Sequence, residues 1–226
     1  MLLLLVPAFA CDGDLFEPFV PLLRPDFDCE CVIGEEPDLK ACAAQVVAHA
    51  AGRPFVVGGT SFGGHVAREV ALLRPANLRG LVVMGASARA PADRAVFDQR
   101  RARIEAGLAA EMNEDMARRI VFEEEGRGQE AADTFRRMAA RAPTDRLLAQ
   151  NEALATRPDR LGDLASVDVP TLLIWGAEDG FSPPAEGQLM AERMPDARFV
   201  ELEACGHLPS LETPMRVASE IRSRFA

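Results

Sequence analysis

The sequence predicts an α/β fold, a mostly parallel sheet with helices on both faces and a block of helices inserted into it. Three observations predict it. Short apolar runs of strand type alternate with helical patterns through residues 1–86 and again through 166–226, the alternation that builds parallel sheets. Between them, from 87 to 165, strand patterns vanish and Ala, Arg, Glu and Met dominate. Finally, Gly59-Thr60-Ser61-Phe62-Gly63 falls between a strand pattern and a helix pattern, the setting of a sharp strand-to-helix turn.

Taken in order, Leu2 to Val6 is wholly apolar and suits a central parallel strand buried on both faces. The small-residue loop Pro7-Ala8-Phe9-Ala10 ends it. Asp12 or Asp14 then caps an expected helix carrying Leu15, Phe16, Phe19 and Leu22. Phe27 to Ile33 reads as a second, more polar strand, hence an edge. After the turn Gly34-Glu35-Glu36-Pro37, residues 39–50 read as helix. Phe55, Val56 and Val57 are strand formers, and Val66, Ala67, Val70, Ala71 and Leu73 fall on a helical repeat. Leu81 to Met84 is a strand ended by Gly85.

In the block 87–165, Ile104, Leu108, Met112, Met116 and Ile120 form a stripe at every fourth residue. Gly126, Pro143 and Pro158 punctuate the block, so about four helices are expected. The sheet then resumes with a strand from Val169 to Trp175. A helix opened by Pro183 runs through Met194, a last strand from Ala197 to Leu202, and a closing helix from Leu211 to Phe225.

With 226 residues, 48% of them hydrophobic, the chain can bury one α/β domain with an insertion. A formal net charge of −10 argues against nucleic acid or an anionic membrane as partner. Cys11, Cys29, Cys31, Cys42 and Cys205 are odd in number and show no C-x-x-C spacing, so reduced thiols are the simpler reading. Cys29 and Cys31 share a strand face but lack companion histidines, and His49, His65 and His207 form no H-E-x-x-H, so no metal is expected. Met1 to Ala10 ahead of Cys11 mimics a signal peptide. No Lys or Arg precedes Arg24 and the apolar run is short, so a cytoplasmic protein is expected.

The chemistry centres on Ser61. In a G-x-S-x-G turn the residues two before and two after the serine lie against each other, which calls for Gly59 and Gly63. The helix that follows aims free N–H groups at developing negative charge. Alone, the motif is a moderate signal, and its plainer reading is a glycine-rich turn between strand and helix, such as one that binds phosphate. A serine nucleophile needs a base, and the base needs a group to orient it. Both belong on loops beyond the carboxyl ends of strands. Asp179, in Gly176-Ala177-Glu178-Asp179, and His207, in Cys205-Gly206-His207, stand there, with Glu178 competing for the acid role. The chain order is Ser, Asp, His.

In these residues the chain resembles the α/β-hydrolase fold family, in its small bacterial branch of esterase-like and enol-lactonase-like serine hydrolases. Glu212-x-Pro214 after His207 and the helical block 87–165 resemble that family's histidine loop and cap. The resemblance implies a core of 1–86 and 166–226 with an inserted cap of 87–165. It implies Ser61 as nucleophile, His207 as base, Asp179 as its orienting acid, and the N–H groups of Phe9 and Phe62 as oxyanion hole. It implies no metal or organic cofactor and a small acyl substrate as partner. Two departures stand out. The family usually carries two more strands ahead of the first one here, so a reduced, all-parallel sheet of about six strands is expected. The oxyanion loop often holds His-Gly where this chain has Pro7-Ala8.

Enol-lactone, thioester or C–C bond hydrolysis on the same triad, or a non-catalytic binding protein, are the alternatives. His65 reads as packed or capping. The arginine pairs at 100–101, 118–119 and 136–137 read as solvated helix faces, with the question open of whether one meets a substrate carboxylate. Nothing in the pattern sets the oligomeric state.

Overall fold

The computed structural model describes residues 1–24 and 26–226. Its sheet has six strands: β1 (Leu2–Val6), β2 (Asp28–Cys31), β3 (Phe55–Thr60), β4 (Leu78–Met84), β5 (Thr171–Gly176) and β6 (Ala197–Leu202). They lie in the order β2-β1-β3-β4-β5-β6, and each neighbouring pair is parallel. Every carboxyl end therefore points to the same rim. The loops after β1, β3, β4, β5 and β6 meet there, although their residues are scattered along the chain.

Burial follows the patterning. β1, β3 and β5 are buried at every position, as the continuous apolar run of β1 requires of a strand covered on both faces. β2 is short and partly exposed at the sheet edge. Helix α2 (Leu39–His49) starts at Asp38, whose carboxylate accepts the Ala41 N–H at 2.9 Å. It packs on α3 (Phe62–Leu73), while α8 (Pro184–Ala191) lies against β5 and β6.

Three expected elements differ from the sequence reading. The helix after Asp12 is not continuous. Asp12 caps a single tight turn, Gly13–Leu15, and one further turn, α1 (Val20–Leu23), follows. Pro18 and Pro21 supply no N–H to a helical ladder. Leu15, Phe16 and Phe19 are buried nonetheless, whereas Leu22 is exposed. The stripe from Ile104 to Ile120 is split into α4 (Ala95–Glu105) and α5 (Ala109–Ile120). Gly107 breaks it with φ +75°, a left-handed conformation that glycine adopts without a Cβ clash, and Leu108 is exposed. The closing helix is also two pieces, α9 (Pro209–Glu212) and α10 (Pro214–Phe225), parted where Pro214 cannot continue the ladder.

Helices α4, α5, α6 (Gln129–Arg141) and α7 (Thr144–Ala155) form the segment between β4 and β5. It is stitched to the rim where the His207 N–H donates to the Ile120 carbonyl at 2.9 Å, and its own two ends are joined by the Arg160 N–H donating to the Ala88 carbonyl at 2.7 Å. Gln150 on α7 is wholly buried. It accepts the Ala10 N–H at 3.1 Å and donates to the Gly34 carbonyl at 2.9 Å.

Candidate active site

Ser61 joins β3 to α3 with φ 53° and ψ −114°, a conformation that costs a non-glycine residue free energy. Its N–H donates to the Met84 carbonyl at 2.8 Å, and its carbonyl accepts the His65 N–H at 3.1 Å. These bonds hold the strained backbone. The glycines make room for it. A Cβ on Gly59 would overlap the Gly63 backbone, and one on Gly63 would overlap the Val6 carbonyl at the end of β1. The turn thus presses on the neighbouring strand as well as on itself.

Phe62 is the first residue of α3, so its N–H has no partner within the helix. Among the described residues, the Phe9 N–H donates to no other group. The residue of that loop in the left-handed region is Ala10, with φ 61°, not Ala8. The Gln150 side chain holds it there through its N–H.

Asp179 follows β5 and His207 follows β6, and both are buried. His207 Nδ1 lies 2.7 Å from Asp179 Oδ2. The other carboxylate oxygen, Oδ1, accepts the N–H groups of Phe181 and Ser182, each at 2.9 Å. A carboxylate only accepts, so Nδ1 carries a proton and Nε2 is the ring nitrogen not engaged by Asp179. Glu178 is exposed and turns elsewhere, accepting the Cys205 N–H at 2.9 Å. Of the two competing acids, Asp179 is the one that meets the ring.

Ser61 and His207 line one cavity of about 300 Å³. No hydrogen bond joins the Ser61 hydroxyl to the ring among the described residues. In unliganded sites such bonds are often long and tighten on substrate binding.

Three residues named in the sequence, Gly85 as a strand end, Glu212 in the histidine loop and His65 as packed or capping, contribute more to the site than their local pattern shows. Gly85, taken only as a strand end, has φ +60°. A Cβ there would sit 3.0 Å from Asp179 Oδ2 and 3.1 Å from His207 Nδ1. Its nearness to β4's end was the available signal, but the clash arises across the sheet. Glu212 accepts three backbone N–H groups, from Phe122 and Gly206 at 2.8 Å and Leu208 at 3.0 Å. It braces the loop that carries His207. Burial raises its carboxyl above the usual range, and those three bonds pull it back. His65 also lines the cavity, with Nδ1 3.0 Å from Arg68 Nη2. An arginine can only donate, so Nδ1 accepts and Nε2 bears the proton. Burial, with the Arg68 charge beside it, holds His65 well below its usual pKa.

Cys205 adjoins this loop, but burial pushes its thiol up, so it stays protonated. All five cysteines are free, and no cluster of candidate metal ligands occurs among the described residues. No helix is long and apolar enough to cross a membrane among them.

Residues 3–220 match the profile of a family described as alpha/beta hydrolase. A pimeloyl-[acyl-carrier protein] methyl ester esterase of Neisseria meningitidis serogroup B is 26% identical over 92% of this chain and 86% of its own length. An esterase from Thermogutta terrifontis, solved with malate bound, superposes with a TM-score of 0.89 at 27% identity, over 99% of this chain and 88% of that one. The enol-lactonase from Burkholderia xenovorans LB400 shares the fold, with a TM-score of 0.89 at 18% identity over 98% and 90%.

Proposed function

This chain belongs to the alpha/beta hydrolase family, and on that premise we propose that it is a serine hydrolase that cleaves carboxylic esters through an acyl-enzyme on Ser61. The observation that carries the reading is the Asp179–His207 pair, whose hydrogen bond leaves Nε2 as a base beside the cavity that Ser61 lines. His207 takes the hydroxyl proton as Ser61 attacks the carbonyl. Asp179, with one oxygen tied to two N–H groups, holds the imidazole tautomer and stabilises its charged form. The unpaired N–H groups of Phe9 and Phe62 receive the oxyanion, each worth about 3 kcal/mol in comparable sites. His207 then protonates the leaving alcohol, and water repeats the sequence on the acyl-enzyme.

In this reading residues 87–165 act as a cap on a core of 1–86 and 166–226. Side chains from that segment, among them Phe97, Met116 and Leu154, complete the cavity wall and exclude bulk water. The substrate is a small molecule, since 300 Å³ is at the low end for ligand pockets. A cytoplasmic site of action accords with the five unpaired thiols.

A fluorophosphonate probe tests the reading directly. It should label the protein at Ser61 and fail on Ser61→Ala, and turnover of 4-nitrophenyl esters should vanish in His207→Ala. Absence of labelling in the folded wild-type protein would leave a non-catalytic binder instead.

A further inference from the structure

The cavity's charge is opposite to that of the protein. The chain carries a net charge of −10, yet three arginines, Arg89, Arg100 and Arg157, line the cavity against one glutamate, Glu186. Arg89 is taken by Glu186 at 3.2 Å. Arg157 donates to two carbonyls, Nε to Arg89 at 3.2 Å and Nη1 to Leu154 at 2.8 Å, and meets no carboxylate among the described residues. Arg100 donates to nothing among the described residues. Its guanidinium carbon lies 4.7 Å from the centre of the Phe9 ring and 5.4 Å from that of Phe97. On the same segment Arg101 pairs with Glu152, Arg103 with Asp115 and Arg136 with Glu114.

Arg100 is half-buried, and a guanidinium drawn partly out of water without an acceptor is costly. Burial, with the Arg157 charge beside it, pulls Arg100 down to about 10, and burial alone does the same to Arg157. The aromatic rings offset part of that cost and hold the side chain in place. They supply no oxygen to its N–H groups. Those groups stand ready for an anion that the protein itself does not provide.

We propose that Arg100, seconded by Arg157, is the subsite for a free carboxylate on the substrate, so that the preferred substrates are short acyl compounds bearing an unesterified carboxylate, such as dicarboxylic half-esters. The planar two-oxygen group matches the guanidinium edge, which can donate two parallel bonds to it. Because Arg100 rests on the ring of Phe9, the anion is anchored to the same loop whose N–H we assign to the oxyanion. The activity part of this proposal rests on the serine-hydrolase reading. The binding part does not.

The test compares mono-4-nitrophenyl glutarate with the uncharged 4-nitrophenyl pentanoate on wild type, Arg100→Gln and Arg100→Lys. The wild type should favour the half-ester in kcat/KM. That preference should fall roughly 10- to 100-fold in Arg100→Gln, chiefly through KM, and return in part with Arg100→Lys. Calorimetric titration with glutarate, which needs no turnover, should show binding to the wild type that Arg100→Gln loses. Inorganic phosphate should bind more weakly. Equal losses on both esters, an unchanged preference, or phosphate binding as tightly as glutarate would overturn the subsite. Glutarate binding without turnover of either ester would instead sink the hydrolase reading and leave the subsite standing.

Discussion

The rim of the sheet and the helical segment from α4 to α7 are built by different rules. At the rim, backbone meets backbone. A Cβ on Gly63 would enter β1's last carbonyl, one on Gly176 would enter the backbone at Cys205–Gly206, and one on Gly206 would lie 2.8 Å from the Phe122 nitrogen. The helical segment relies on side chains. Arg136 on α6 spans Glu114, Glu124 and Asp133, and Arg101 on α4 reaches Glu152 on α7. Val96 and Leu108 lie exposed on it. The rim therefore tolerates almost no change in shape, whereas the exposed faces of the helices can change side chains without a backbone clash. In the proposed reading, chemistry belongs to the first region and substrate choice to the second.

That contrast can be broken first at Ser61. Ser61→Ala should lower ester turnover by about 10⁴–10⁶-fold with the unfolding midpoint unchanged, as measured by steady-state kinetics and denaturant titration. A loss of only tenfold would remove the nucleophile from the rim. Next comes Gly63→Ala, which must displace β1 or the turn. Destabilisation of more than about 4 kcal/mol in chemical unfolding is expected. Tolerance of the methyl would mean that the rim is softer than described. Glu212→Ala strips the acceptor from three N–H groups and should cost about 3 kcal/mol, together with lower turnover as the His207 loop loosens.

A fourth test uses pH. The native protein keeps His65 neutral where the unfolded chain takes up a proton near pH 6.5. The unfolded state then binds more protons, so stability rises with pH through that region. The contribution is complete above that pH and is lost on acidification, at up to about 1.4 kcal/mol per pH unit, until the folded ring titrates. His65→Gln should flatten the stability profile below pH 6.5, and parallel profiles would assign the slope to other groups. Smallest is Arg136→Gln on the helical segment. Its partly exposed ion pairs should contribute under about 1 kcal/mol, less in high salt. A larger loss would mean that the segment is as tightly specified as the rim.

Much of the rim was legible in the sequence. β1 and β6 have the bounds that their patterns indicate, and β3 leads into the turn at Ser61. These features are carried by consecutive residues. The places where the reading went astray share a cause. The apolar stripe from Ile104 to Ile120 continues through Gly107 on paper, yet periodicity has no term for a glycine turning left-handed. Leu15, Phe16 and Phe19 are buried as their hydrophobicity demands, though without the regular helix that was expected to carry them. Hydrophobicity speaks to burial, and prolines decide whether a helix delivers it. Gly85 was read only as a strand end because the groups it makes room for, Asp179 and His207, come from other loops.

By itself the sequence determined the layered architecture, the turn at Ser61 and the strand ends that carry Asp179 and His207. Each is written in local periodicity and in residue types with strong backbone preferences. Only the tertiary structure decided that Asp179 and not Glu178 meets the ring, and that Arg100, among several paired arginines, faces the cavity without an acceptor. Those outcomes depend on which side chains from distant parts of the chain share one small space. Charge and burial are properties of that space, and no run of neighbouring residues encodes it.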